Sequence, residues 1–213
     1  MTTMHTALPI DSVGGFLDSL AAKVPAPGGG ATAALHLGQA AALVSMVARY
    51  TTGARYAEHQ TLVETVCERA DAARSLALQL MQDDMAAFSA VIAAYQLPKS
   101  TEPETNSRSA AIAAAAARAA AVPADVVNAS AAVLDLAEDL FPVANRNVIS
   151  DIAAAADAAR AAATTARVNV EINLPSIVDP ATRESLLTRI SVVDTLAGRA
   201  DTLTNHVRKL LTT

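Results

Sequence analysis

The chain has few aromatic residues and almost no cysteine. Among its 213 residues there are three Phe, three Tyr, no Trp and one Cys. The single cysteine, Cys67, cannot form an intrachain disulfide, which excludes the small disulfide-rich scaffolds of secreted proteins. With so few bulky aromatic side chains, the core has to be built from small residues that let helix axes approach closely.

The chain also lacks a basic surface and a strongly apolar run. Its net charge is −5 and its basic residues are scattered, which excludes the electrostatic pattern of DNA or RNA binding. Residues 31–48 come nearest to a membrane span, but they are richer in alanine than in leucine, and His36 and Gln39 interrupt them. No secretory signal is recognised. We therefore expect a cytoplasmic protein with neither nucleic-acid nor membrane partners.

Alanine is what the sequence has in abundance. Roughly a quarter of the residues are alanine, and apolar residues recur at helical spacing, which predicts an all-α bundle of six to seven helices. The length suits one domain over residues 1–213, with residues 1–10 as a flexible leader. The first helix is capped by Asp11 or Ser12, and the predicted helices after it cover residues 31–52, 57–96, 104–121, 123–140, 150–170 and 180–211.

The most informative segment is Pro25-Ala26-Pro27-Gly28-Gly29-Gly30, which leads directly into an alanine-rich helix. The prolines keep the approach extended, and the glycines remove every Cβ at the turn. A ligand can then reach bare backbone at a helix N-terminus, where the helix dipole favours an anion or an electron-rich ring edge. The alternative is a tight interhelical turn with no ligand.

Asp84 is the polar residue that most strongly indicates a functional site. Its neighbours three and four positions away are Leu80, Met81, Ala87 and Phe88, so Asp84 lies on the stripe that should face the interior. Burial without a nearby cation raises the pKa of a carboxyl group towards neutrality, as a general acid or base requires. The alternatives are an ion pair with an arginine or a place in a subunit interface.

Other polar residues are weaker candidates. Asp151 opens a helix, where it can cap the N-terminus or bind the amidine edge of a heterocycle. Lys99 and Arg108 bracket an exposed loop and could hold an anionic tail, although such residues are usually only solvated. Asn169 and Asn173 project from one helix face or simply end that helix. The four histidines have no metal-ligand spacing, so no metal is expected.

These residues together resemble the cyclodeaminase/cyclohydrolase family, which includes the C-terminal domain of formiminotransferase-cyclodeaminase and free-standing methenyltetrahydrofolate cyclohydrolases. The resemblance covers nearly the whole chain in order. It depends on Phe16, Pro25 to Gly30, Ser45-Met46-Val47, Thr51, Gly53, Asp84-x-x-x-Phe88, Leu97-Pro98-Lys99, Asn145, Ser150-Asp151, Asn169-Val170 and Asn173-Leu174. The chain departs from the family pattern at Ala54, where lysine is frequent, and at Ala144, where glycine is usual.

The resemblance implies an all-α homodimer with a folate site. Asp84 matches the family's catalytic aspartate, and the turn with Pro27, Gly28, Gly29 and Gly30 would border the substrate. Asn145 and Asp151 would bind the pterin side, and Lys99 and Asn169 complete the expected binding set. No cofactor is expected beyond tetrahydrofolate as the substrate, with or without a polyglutamate tail.

The implied activity is that of a formiminotetrahydrofolate cyclodeaminase, which closes 5-formiminotetrahydrofolate to 5,10-methenyltetrahydrofolate and releases ammonia. The alternative is a methenyltetrahydrofolate cyclohydrolase, because both reactions take place at the same bridging carbon. A helical dimer that binds folate or a partner without any chemistry is a further alternative.

Overall fold

The computed structural model describes residues 12–212, which form seven α-helices and no strand. The α-helices are α1 Val13–Ala21, α2 Gly29–Tyr50, α3 Gln60–Tyr95, α4 Glu102–Leu140, α5 Ser150–Glu171, α6 Pro180–Ile190 and α7 Val193–Leu211. The all-α prediction is therefore confirmed. Ser12 caps α1 by accepting a 3.0 Å hydrogen bond from the backbone N–H of Gly15, whereas the predicted leader and Asp11 lie outside the described residues.

Two predicted helix divisions are wrong. Pro123 was expected to begin a helix, but it lies inside the continuous α4. A proline inside a helix removes one backbone hydrogen bond and costs about 3 kcal/mol, and α4 continues because both flanking turns are packed into the core. The buried residues of these turns are Ala119, Ala120, Val122, Ala124, Val126 and Val127.

The predicted final helix over residues 180–211 is also wrong, because it divides into α6 and α7 at Ser191 and Val192. No proline or glycine marks this break. Ion pairs on either side of it hold the two helices to different neighbours. Arg189 on α6 pairs with Asp125 on α4, and Asp194 on α7 pairs with Arg167 on α5 at 2.6 Å.

Helix α2 is the centre of the bundle. Its buried residues, which include Leu37, Val44 and Val47, are distributed around the helix, as expected of an element with neighbours on several sides. Helix α3 is antiparallel to α2, because Gly30 lies beside Asp84 while Ser45 donates a 2.8 Å hydrogen bond to Asp71. The N-terminus of α2 therefore meets the middle of α3.

Helix α5 is also antiparallel to α2. Gly29, at the start of α2, lies beside Asn169, near the end of α5. At the other end of α2, the side chain of Asn145, which shortly precedes α5, donates to the carbonyl of Tyr50 at 2.7 Å. The beginning of α2, the middle of α3 and the end of α5 thus meet at one level of the bundle.

Helix α3 buries a stripe of residues at spacings of three, four and seven. Its buried positions are Val63, Val66, Ala70, Ala77, Leu80, Ala87 and Ala94, and this spacing is typical of helices that pack at a shallow left-handed angle. Asp84 continues the same stripe between Leu80 and Ala87. A carboxyl group therefore occupies a position that the repeat assigns to the core.

Two helices, Gly29–Tyr50 and Glu102–Leu140, are long and apolar enough to cross a membrane by length and composition alone. Within their most apolar windows, 56% and 50% of the residues are buried inside the fold. Core helices of soluble proteins pass the same test, so this result is weak evidence for a membrane span.

Candidate active site

A cavity of about 240 Å³ lies at the level where the start of α2 meets α3, α4 and the end of α5. Gly28, Gly29, Gly30, Asp84 and Asn169 all line it. The structure therefore brings together five of the residues that the sequence predicts for the site, from three separate helices. Pro27 is buried between lining residues of the same turn.

Gly30 and Asp84 fit together sterically. A Cβ atom at position 30 would lie 2.0 Å from Oδ1 of Asp84 and 2.5 Å from its Cγ, so no side chain can be accommodated while the carboxyl keeps its place. Gly28 differs, because a Cβ there would meet nothing within 4 Å. The glycine at position 30 is thus required by the carboxyl group rather than by the turn.

The environment of Asp84 favours its protonated form. Burial raises the pKa of this carboxyl, and the backbone N–H of Ala31, which donates a hydrogen bond to it, only partly offsets the rise. No Lys or Arg is among the residues that line the described cavity. The predicted alternative of an arginine partner is therefore wrong within the described chain, and a carboxyl of raised pKa suits proton exchange.

The carboxyl group also caps α2 from outside that helix. Gly28, the residue that precedes α2, offers no side chain to the first-turn N–H groups, and these groups have no intrahelical partner. Asp84 accepts from one of them, that of Ala31. The helix N-terminus that the sequence predicts as an anion site thus has a carboxyl of the chain itself beside it.

Two asparagines form the wall opposite α3. The side-chain N–H₂ of Asn169 donates to the carbonyl of Thr165 at 2.9 Å, and that of Asn173 donates to the carbonyl of Asn169 at 2.8 Å. These bonds fix both amides and leave their Oδ1 atoms as acceptors. The side chain of Asn169 also packs closely against the backbone of Gly29. A Cβ atom on Gly29 would lie only 3.0 Å from Nδ2 of Asn169.

Several residues that line the cavity were not predicted for the site. Asn173 was considered with Asn169 because of its spacing of four but was not assigned to the site, and Phe88 was quoted only as part of a motif. Ala119 on α4 and Ile172 at the end of α5 carry no polar signal, and only the packing of the helices brings them to the cavity.

Lys99, Asn145 and Asp151 do not line this cavity within one chain. Lys99 lies in the turn after α3, beyond Tyr95, which is about 16 Å along the helix from Asp84. Asn145 lies at the opposite end of α2, where its backbone N–H donates to Oγ1 of Thr51 at 3.1 Å. Asp151 is in the first turn of α5. The binding roles assigned to these three residues stay predictions.

A larger open groove of about 470 Å³ lies between α4 and α7. It contains Arg199, whose guanidinium pairs with Asp135 at 2.5 Å and with Glu138, and His206, which stacks on Phe141. The charges in this groove pair with each other, and none of the residues predicted for the site lies there. The smaller cavity beside Asp84 is therefore the candidate active site.

Fold and site together define an all-α protein with a small-molecule cavity centred on one partly buried carboxyl group. A sequence model described as formiminotransferase-cyclodeaminase matches residues 12–192. The chain is 36% identical over 193 residues to a methenyltetrahydrofolate cyclohydrolase of Methylorubrum extorquens, which covers 90% of this chain and 91% of that protein. The chain therefore belongs to the formiminotransferase-cyclodeaminase family, as the resemblance predicted.

Two further comparisons agree with this family. The chain is 32% identical over 181 residues to the formimidoyltransferase-cyclodeaminase of Mus musculus, covering 84% of this chain but 34% of that longer protein. A crystal structure of formiminotetrahydrofolate cyclodeaminase from Thermotoga maritima matches with a TM-score of 0.83 and 30% identity, over 94% of this chain and 97% of that chain. The bundle therefore corresponds to a whole cyclodeaminase fold.

Proposed function

We propose that this chain is a folate one-carbon enzyme that acts at the 5,10-methenyl bridge, and that its reaction is that of a formiminotetrahydrofolate cyclodeaminase. The observation that carries the proposal is the partly buried carboxyl of Asp84, whose pKa is raised without any cation beside it. Asp84 is also the one titratable residue that lines the described cavity. A proton-transfer reaction on an uncharged or cationic ligand suits such a group.

The proposed reaction closes a ring and releases ammonia. N10 of 5-formiminotetrahydrofolate attacks the carbon of the protonated formimino group, and a tetrahedral intermediate that carries an –NH2 group forms. N10 must then lose a proton and the departing nitrogen must gain one, after which the carbon–nitrogen bond breaks. A carboxyl of raised pKa can accept the first proton and supply the second, so that 5,10-methenyltetrahydrofolate and ammonia are formed.

The cavity also offers a way to hold the substrate. The side chains of Asn169 and Asn173 present fixed Oδ1 acceptors, which suit the N–H groups of a pterin ring. The bare backbone of Gly28 and Gly29 allows a flat ring to approach the start of α2. Phe88 adds an apolar surface at the mouth.

Methenyltetrahydrofolate cyclohydrolase is the second candidate. The full-length similarity to a free-standing cyclohydrolase, at 36% identity over 91% of that protein, favours it. In this reaction water attacks the cationic methenyl carbon, and the same carboxyl serves as base and as electrostatic partner of the cation.

One assay separates the two reactions. Purified protein is supplied separately with 5-formiminotetrahydrofolate and with 5,10-methenyltetrahydrofolate, while methenyl absorbance and ammonia are followed. A rise in absorbance with release of ammonia identifies the cyclodeaminase. A fall in absorbance faster than the spontaneous rate identifies the cyclohydrolase, and no change with either substrate contradicts both.

The substitution Asp84→Asn tests the proton-transfer role. We expect turnover to fall by roughly 10²- to 10⁴-fold, the usual contribution of general acid–base catalysis, while the helical circular dichroism stays unchanged. Asp83→Asn is the matched control, because Asp83 accepts a 3.0 Å hydrogen bond from Gln79 outside the cavity. Full turnover in Asp84→Asn would show that this carboxyl does not carry the chemistry.

We also propose that the enzyme works in the cytoplasm as a homodimer. The single cysteine is consistent with a reducing compartment. The exposed apolar side chains of Leu78, Phe88 and Tyr95 on α3 support the association of two copies.

A further inference from the structure

The groove between α4 and α7 is separate from the cavity beside Asp84. It encloses about 470 Å³, which is within the range of small-molecule sites. Glu138 and Phe141 form its α4 wall, and Ala119 of the active-site cavity lies about 30 Å away along that helix. The other wall belongs to α7, which lies beyond the residues 12–192 that match the family's sequence model. The proposed folate chemistry therefore does not account for this groove.

One face of α7 forms the longer wall of the groove. Its lining residues alternate between spacings of three and one, so they lie on one side of the helix. They are Thr195, Gly198, Arg199, Thr202, Leu203 and His206. Gly198 leaves bare backbone in the middle of this face, and a Cβ atom there would meet nothing within 4 Å. The space over Gly198 is therefore open to a ligand.

Two aromatic rings provide a flat surface in the groove. The rings of Phe141 and His206 are nearly parallel, with an interplanar angle of 17°, and their centres are 6.2 Å apart. A distance near the upper end of the range for stacked pairs leaves part of each ring face uncovered. The buried side chain of Leu203 adds apolar surface. An aromatic ligand can therefore stack in this groove.

The charged side chains of the groove leave an excess of negative charge. Arg199 donates from Nε to Glu138 at 3.1 Å and pairs with Asp135 at 2.5 Å, so one guanidinium faces two carboxylates. The C-terminus of α4 adds to this excess, because a helix dipole is negative at that end and the last turn of α4 contains no basic residue. The local charge therefore favours a cationic ligand.

Glu138 is placed to hold the cationic group of a ligand that stacks on Phe141. These two residues are three positions apart on α4, so their side chains are neighbours, about 5–6 Å apart. A carboxylate oxygen can accept two hydrogen bonds, and Oε1 of Glu138 accepts one from Arg199. The side chain of Glu138 is only 34% exposed, so solvent screens its charge less than that of a fully exposed carboxylate.

We propose that this groove binds a small planar aromatic cation, with its ring on Phe141 and His206 and its cationic group beside Glu138. A positively charged ring system is attracted to the faces of aromatic rings, and the carboxylate accepts a charge-assisted hydrogen bond from it. An anionic ligand meets two carboxylates here and is repelled. The proposal does not depend on the proposed folate reaction.

Three ligands of nearly the same shape test the charge preference. Benzamidine is a planar aromatic cation, benzamide is its neutral counterpart and benzoate is its anionic counterpart. Each is titrated into the full chain while NMR follows the imidazole signals of the four histidines, and the variant His206→Gln assigns the signal of His206. We expect benzamidine to move this signal with a Kd of about 1 mM or lower.

The neutral and anionic ligands give the comparison. Benzamide should bind roughly tenfold more weakly than benzamidine, because it lacks the cation–π and ionic interactions, and benzoate should bind more weakly still. Equal binding of the three ligands, or a benzamidine titration that leaves the signal of His206 in place, would overturn the proposal.

The substitution Gly198→Leu tests the location. Since a Cβ at this position has open space around it, the leucine side chain extends into the groove and should abolish the shift of the His206 signal by benzamidine. Asn205→Leu is the matched control, because it makes a change to leucine at an exposed position of α7 outside the groove. Circular dichroism confirms that both variants are folded. Full binding in Gly198→Leu would contradict the assigned location.

The substitution Glu138→Gln tests the carboxylate. The amide keeps the shape of the side chain and removes its charge, so benzamidine should bind roughly fivefold more weakly, while benzamide binding stays unchanged. Asp139→Asn is the control, because it removes the same charge from an exposed neighbour that does not line the groove. An unchanged Kd in Glu138→Gln, or an equal loss in both variants, would show that Glu138 does not hold the cation.

The variant Asp84→Asn separates the groove from the active-site cavity. A cation can also bind the carboxyl of Asp84, so the benzamidine titration is repeated with this variant. The shift of the His206 signal should be unchanged, and its loss would place the cation in the other cavity and overturn the proposal. Turnover is not measured in any of these titrations, so a failure of the folate reaction leaves their outcome unaffected.

Discussion

Residue 30 is a glycine, so it carries a hydrogen atom where any other residue has a Cβ atom. This difference decides whether the side chain of Asp84 can reach the cavity. The carboxyl fills the space that a Cβ would take, with Oδ1 only 2.0 Å from the ideal Cβ position. It accepts a hydrogen bond from Ala31, the next residue of the same helix. The position of the carboxyl is therefore set by the first turn of α2, whereas burial raises its pKa and the Ala31 N–H only partly offsets that rise.

The substitution Gly30→Ala should inactivate the enzyme without unfolding it. The methyl group displaces the carboxyl by an ångström or more, and a misplacement of this size costs roughly 100-fold in rate. Gly198→Ala is the control, because its Cβ would meet nothing within 4 Å and Gly198 lies inside α7, away from the cavity beside Asp84. Steady-state turnover of both variants tests the loss of rate, and circular dichroism tests whether they are folded. Equal turnover rates would contradict the steric argument.

At the scale of the element, α3 serves two surfaces. One face carries the core stripe with Asp84, and a neighbouring face carries the exposed apolar side chains of Leu78, Phe88 and Tyr95. Small residues allow the close approach of α2 and α3 on the core side, where a Cβ on Gly38 would lie 3.5 Å from Cβ of Ala77. That distance is an ordinary van der Waals contact, so the helix pair has room for one methyl group at position 38.

Gly38→Ala should therefore stabilise the protein. Removing a glycine from a helix interior gains about 0.5–1 kcal/mol in the free energy of unfolding. Gly53→Ala makes the same chemical change where φ is +97°, a backbone conformation that costs a residue with a side chain about 1–3 kcal/mol. The midpoint of urea denaturation should thus rise for Gly38→Ala and fall for Gly53→Ala. A destabilised Gly38→Ala would show that α2 and α3 cannot accept the methyl group.

The elements themselves were largely predictable from sequence. Helical periodicity and the caps indicated α2, α3 and α5 because those signals are local. The continuation of α4 through Pro123 and the break at Ser191 were not predictable, because each depends on what the helix packs against or pairs with. Asp84 was identified by its position on an apolar stripe. Its contacts with Gly30 and Ala31 depend on the register between α2 and α3, which no local pattern specifies.

At the scale of the whole molecule, the buried carboxyl makes stability depend on pH. The folded state raises the pKa of Asp84 above the ordinary value of 3.8. A group of this kind contributes its full stability below the unfolded pKa, and that contribution is lost as the pH rises through the folded pKa. The carboxyl that we propose as the catalytic group is therefore unfavourable for folding at neutral pH.

Asp84→Asn should consequently be more stable than the unmodified protein at pH 7.5, and the difference should shrink towards zero at pH 4. The amide is neutral at both values, so it avoids the cost of burying a charge. Asp71 and Asp179 have lowered pKa values through hydrogen bonds from Arg49 and from Thr182, respectively. The unmodified protein and Asp84→Asn therefore both lose stability in acid. Only the difference between their urea midpoints reports on the pKa of Asp84. A constant difference across this range would contradict the raised pKa.

The contact between Gly30 and Asp84 also predicts a pattern in the sequences of relatives. While the carboxyl is present, selection has to reject every side chain at position 30. Once a lineage loses the carboxyl, that constraint ends and position 30 is free to vary. A relative with a small residue at position 84 and a side chain at position 30 would thus have lost the proposed activity early. A relative that lacks the carboxyl but keeps the glycine would have lost it recently.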